Sequence, residues 1–114
     1  MSSLKKVEPK IISTSTDPEG RTVHLTAGTW GHIRKEHIDV KRAGGIAKIA
    51  STVTKPNIML QNERDAIIYI EQARMDLYFN VITKPDESPG IRYVTTAHFS
   101  PKLLKGETIW LQSK

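Results

Sequence analysis

No cysteine occurs among the 114 residues. Disulfides and thiolate-bound zinc are therefore excluded, and the chain suits a reducing compartment such as the cytoplasm. Long apolar runs are missing as well. The longest, such as Ala66-Ile67-Ile68-Tyr69-Ile70, fall far short of the ~20 residues a membrane-crossing helix needs. The opening Met1-Ser2-Ser3-Leu4-Lys5-Lys6 has charge but no apolar stretch behind it, unlike a secretory signal. Residues 1–9 read as a loose leader ending in Pro9. Gly44-Gly45 is followed by Ile46-Ala47-Lys48 rather than Gly-Lys-Ser/Thr, so no phosphate-cradling loop is present, and no serine nucleophile elbow exists. Acidic residues are the minority charge. Twelve Asp+Glu stand against 17 Lys+Arg, for a net charge of +5, a balance that favours a polyanionic partner.

What is present is enough for one folded domain over residues 10–114. Hydrophobic residues make up 38% of the chain, too many for a disordered segment. No repeat, linker or low-complexity block divides it. Residues 11–16 and 22–26 read as two short strands joined by Asp17-Pro18-Glu19-Gly20, where Pro presets φ and Gly accepts positive φ. Thr26 or Thr29 is placed to cap a helix running to about His37, with a break near Asp39-Val40. A second helix over residues 45–54 carries Ile46, Ile49, Ala50 and Val53 at helical spacing and stops at Pro56. The period then changes to two. Residues 57–62, 66–73, 76–83, 91–100 and 107–112 read as strands between polar, Gly- and Pro-bearing connections. The expected fold is α+β: two helices packed on one face of an antiparallel sheet of four to five strands, preceded by a short hairpin.

Chemistry concentrates in Trp30-Gly31-His32-Ile33-Arg34-Lys35-Glu36-His37. At ~100° per residue, Trp30, Ile33 and His37 share one helix face, while His32, Lys35 and Glu36 share the other. Trp30 and Ile33 anchor the helix. His32 is then a free imidazole with Glu36 one turn on to orient it. His37 is either a core histidine or a second working group. The two histidines are splayed by ~140°, so they cannot chelate a metal as an i, i+4 pair does, and neither metal nor cofactor is expected. On the strand over residues 91–100, strict alternation places Arg92, Thr96 and His98 together, either as the floor of an anion site or as an ordinary solvated face. Imidazole, carboxylate, guanidinium and hydroxyl suffice to cleave RNA through its own 2′-OH. A base takes that proton, an acid protonates the leaving 5′-oxygen, and cations hold the charge on phosphorus. In that scheme His32 or His37 and Glu36 move protons, and Lys35 and Arg92 hold phosphate. Thr96 supplies a hydroxyl.

The order of these motifs resembles a known family. Val23-His24-Leu25-Thr26 leads into Trp30-Gly31-His32-Ile33 and on to His37. A helix then ends at Pro56, strands containing Ile67-Ile68-Tyr69-Ile70 and Leu77-Tyr78-Phe79-Asn80-Val81-Ile82 follow, and Tyr93-Val94-Thr95-Thr96-Ala97-His98 closes the series. This succession, over residues 21–100, is similar to the phage-type nucleases grouped with barnase, EndoU, colicin tRNases and RelE. The resemblance implies a small, metal-independent ribonuclease with helices on a curved antiparallel sheet, often a toxin or a mobile-element protein. It implies RNA (tRNA, mRNA or ribosome-associated) as substrate and an antitoxin or immunity protein as partner. His32 and His37 match the family's helix histidines, and Arg92 and Thr96 fall on its cleft strand, with His98 beside them. Two departures stand out. Ile38 follows His37 where many relatives have proline, and the arginine often found after the aromatic of the Tyr69 strand is missing, with Arg74 lying just beyond. The alternative function is a non-catalytic nucleic-acid-binding or mobile-element accessory module of the same fold.

Overall fold

A computed structural model describes residues 10–113; the leader expected over residues 1–9 lies outside them. The hairpin forms as expected from β1 (Ile11–Thr16) and β2 (Thr22–Thr26). Its turn closes because Asp17 Oδ1 accepts the backbone N–H groups of Glu19 and Arg21, each at 2.9 Å, while Gly20 takes φ of 88°. Thr26 ends β2 and also caps α1 (Ala27–Glu36): its hydroxyl accepts the Thr29 N–H at 3.2 Å.

Where the pattern predicts only a break, a third helix appears, α2 (Ile38–Arg42). His37 leaves helical geometry at φ −130°, Asp39 Oδ1 accepts the Val40 N–H at 3.0 Å, and Val40 is fully buried. Five residues are too few to show a helical period; the buried Val40 holds this turn in place. Helix α3 (Gly45–Thr54) follows the expected bounds and buries Ile49 and Val53. Gly45 sits at φ 60°, and a Cβ there would lie 3.2 Å from the Trp30 ring, so Trp30 seats α1 on the start of α3.

Strands β3 (Ile58–Gln61), β4 (Ile67–Arg74), β5 (Leu77–Pro85), β6 (Ile91–Ser100) and β7 (Glu107–Leu111) complete the chain. The expected four- to five-stranded antiparallel sheet with a separate hairpin is corrected to one mixed sheet of seven strands, in the order β1-β2-β6-β5-β4-β3-β7. The hairpin joins it because β2 pairs parallel to β6. At the other edge, residues 101–106 carry the chain from β6 past three strands to pair β7 with β3. The helices cover one face, over a core that includes Leu25, Ile33, Ile49, Met59, Tyr69 and Phe79. On the other face Leu60, Ile68 and Ile70 form a smaller cluster beneath Leu104 of the crossing segment.

Strict alternation fails in β6. Ile82 pairs with Thr96 but Thr83 pairs with Val94, so Thr95 is an extra residue, a β-bulge. Past it the faces exchange. Arg92 and Val94 turn to the helix-covered side with Ala97 and Phe99, while Thr96 and His98 lie on the opposite face. The common face expected for Arg92, Thr96 and His98 does not exist.

Candidate active site

The structure brings two histidines together that are 61 positions apart. His37, the residue that terminates α1, and His98, on β6, have ring centroids 5.8 Å apart at an interplanar angle of 35°. Their meeting follows from the topology. Pairing of β2 with β6 ends at His24–Tyr93, so among the described residues the rest of β6 has no strand neighbour on that side, and α1 and α2 pack against it. His37 is fixed by its N–H, which donates to the Ile33 carbonyl at 2.7 Å. Behind His98, the buried Asn80 donates from Nδ2 to the His98 carbonyl at 3.2 Å and to Ser100 Oγ at 2.9 Å. Ser100 Oγ in turn donates to the Lys102 carbonyl at 2.7 Å. Burial first, and the adjacent His37 second, hold His98 below the usual imidazole range, against an opposing pull from Asp39. His98 is therefore neutral at pH 7, the state a general base requires.

The remaining sequence-predicted residues divide into three groups. His32, Lys35 and Glu36 lie on the exposed face of α1, while Ile33 is buried and Trp30 and His37 are partly buried, as the helical spacing predicts. Lys35 and Arg34 occupy the last turn of α1, where a cation complements the helix dipole whatever else it does. Thr96, half-buried, shares the His98 face of β6. Arg74 is exposed at the end of β4 and pairs with Asp76 at 3.6 Å.

Arg92 belongs elsewhere. It is 6% exposed. Its Nε donates to Thr83 Oγ1 at 2.9 Å, and Nη2 donates to the carbonyls of Thr83, at 3.1 Å, and of Asp65. The same end of the molecule holds a second buried network. The Tyr69 hydroxyl donates to Asp17 Oδ2 at 2.6 Å, and Arg21 Nη1 donates to the same oxygen at 3.2 Å. Burial, then this hydrogen bond, push the Tyr69 phenol well above its ordinary value. Burial lowers Arg92 from the usual guanidinium range. Arg92 thus fastens the turn between β3 and β4 to the end of β5.

Among the described residues, hollows open on the surface without His98 in their lining. A shallow one of about 670 Å³ is lined by residues 61–65 and 105–107 and contains none of the predicted site residues. A smaller one, about 370 Å³, is lined by Asp39, Arg42, Ala43, Leu77 and Phe99, with Phe99 on the face of β6 opposite His98. Arg42 is a cation there that sequence reasoning did not select, because only the fold of α2 brings it beside β6. Among the described residues no group of three or more His, Asp or Glu side chains is placed to hold a metal ion. No helix there is long and apolar enough to cross a membrane. Compared with protein families, curated proteins and solved structures, the chain matches none.

Proposed function

We propose that this protein is a ribonuclease that cleaves by general acid–base catalysis, with His98 and His37 as the working pair. The single observation that carries the reading is their juxtaposition, with burial holding the His98 imidazole below its ordinary range. In the reaction, His98 takes the 2′-OH proton, the 2′-oxygen attacks phosphorus, and the bond to the 5′-oxygen breaks. His37 gives that oxygen a proton, leaving a 2′,3′-cyclic phosphate and a 5′-hydroxyl. Thr96, on the same strand face, donates its hydroxyl to a phosphoryl oxygen. No cofactor enters this scheme. The net charge of +5 supports an RNA partner, and the resemblance over residues 21–100 to the barnase, EndoU, colicin and RelE group supports a toxin's role, with an antitoxin or immunity protein as its partner.

The test is incubation with total cellular RNA in EDTA. Wild type should leave 2′,3′-cyclic phosphate ends. His37→Ala and His98→Ala should each lose roughly 10²-fold or more of the rate, while His32→Ala, at an exposed position away from the pair, should keep it. Full activity in both His37→Ala and His98→Ala would overturn the assignment. A second reading, a binding module without turnover, is favoured by one fact: the guanidinium of Arg92 is committed to the fold rather than to a ligand. That reading requires RNA binding that weakens steeply with salt and no cleavage.

A further inference from the structure

Among the described residues, Leu104 packs on the face of the sheet opposite the helices over the Leu60, Ile68 and Ile70 cluster, and no such cover lies over β1 and β2 or the start of β6. One cross-strand row occupies this open part. Thr14 pairs with His24, His24 with Tyr93, and Tyr93 with Lys84, so four neighbouring strands place these side chains side by side. The His24 and Tyr93 rings lie 5.3 Å apart, tilted by 55°. His24 Nδ1 is held by Thr14 Oγ1 at 2.9 Å, which fixes the imidazole in place. His24 and Tyr93 are half-buried, and Thr14 and Lys84 at the two ends are exposed. Tyr93 belongs to neither core cluster, whereas the sequence neighbours Val23 and Val94, on the other face, make core contacts.

We infer that this row is a base-stacking subsite for single-stranded RNA, resting on the ribonuclease reading above. Rings on an open sheet face bind unpaired bases because every base has a π-face to offer, whereas a duplex keeps its bases stacked internally. Lys84 at the end of the row matches a phosphate. Beyond it, the exposed carboxylates of Asp86 and Glu87 repel a phosphate backbone, so the favourable path runs the other way, along β6. Tyr93, Thr96 and His98 lie on that one face. The β5 partners of Tyr93 and His98, Lys84 and Asn80, are four residues apart, so at ~3.3 Å per residue Tyr93 and His98 stand ~13 Å apart, a span of about two nucleotides. A base seated on His24 and Tyr93 would place a nearby phosphodiester at the histidine pair, so the subsite selects unpaired RNA and fixes its register.

The measurement is the affinity of a short oligoribonucleotide methylated at every 2′-oxygen, which cannot be cleaved by its own hydroxyl. Tyr93→Phe, which keeps the ring, should bind like wild type. Tyr93→Leu, which keeps apolar bulk without a π-face, should bind roughly tenfold more weakly. His24→Leu, on the neighbouring strand, tests the same floor if Tyr93→Leu does not fold. The duplex of the same sequence should bind less tightly than the single strand. Undiminished binding by Tyr93→Leu and His24→Leu, equal binding of duplex, or no binding by wild type would overturn the inference. The two readings fail separately. His98-dependent cleavage with no Tyr93 or His24 effect on binding removes the subsite alone. A Tyr93 effect on binding without any cleavage of natural RNA removes the catalytic reading and leaves a single-strand binding face.

Discussion

A histidine that is half-buried beside another histidine behaves differently from one on a helix surface, and this protein contains both kinds. His32 stands exposed on α1, whereas His98, half-buried on β6 against the His37 ring, is held below the ordinary imidazole value of 6.5. The unfolded chain, free of that burial, takes up the His98 proton at a higher pH than the folded chain does. The stability tied to this site is therefore fully present above the unfolded value and is lost as pH falls through the folded value. Melting temperature should drop as pH is lowered from about 7.5 to about 5, and His98→Asn should flatten that part of the curve. A slope unchanged by His98→Asn would show that the depression is not felt by the fold. In the proposed reaction the same protonation would remove the base, so the acid limb of the cleavage profile should lie below the usual imidazole range.

At the scale of elements, the three helices show what periodicity can and cannot read. The stripe Ile46, Ile49, Ala50 and Val53 predicts α3, and Trp30 with Ile33 predicts the buried side of α1. Helix α2 has no such signature, because one turn and a half displays no repeat and is kept by the burial of Val40. The contact between α1 and α3 is narrow: Gly45 holds φ of 60° beneath the Trp30 ring. Gly45→Ala should cost about 1–2 kcal/mol from the left-handed backbone alone, with more from displacing Trp30. Denaturant unfolding measures it, and a loss under ~0.5 kcal/mol would mean that Trp30 and the backbone relax together. The bulge at Thr95 is the other element-level event. It reverses the parity of β6, and with it the assignment of Arg92 from a ligand face to a structural one. Alternation in sequence assumes an unbroken ladder, and a single inserted residue invalidates it.

At the scale of the molecule, the hairpin is an integral edge of the sheet, tied in by more than the parallel pairing of β2 with β6. The Tyr69 hydroxyl reaches from β4 to the carboxylate of Asp17 in the hairpin turn, 52 residues away. Tyr69 is fully buried, so Tyr69→Phe removes one donor to a charged acceptor without opening a cavity. The expected loss is about 1.5–3 kcal/mol, the range for a hydrogen bond to an ionised group, read as a lower denaturant midpoint with unchanged slope. Unchanged stability would mean that the backbone N–H groups of Glu19 and Arg21, with the Arg21 guanidinium, satisfy Asp17 by themselves.

The sequence by itself determined the order and type of nearly every element, the turn at Asp17–Gly20, the buried and exposed sides of α1, and the positive charge. These depend on propensities and periods that act between residues close in the chain. Tertiary structure alone decided which strands neighbour one another, where the ladder slips, and so which side chains meet. His37 finds His98 because β6 outruns its pairing with β2; His24 finds Tyr93 because those two strands run parallel where they do pair. Both encounters join residues more than sixty positions apart, and no local energy term links such positions until the chain has closed the loop between them.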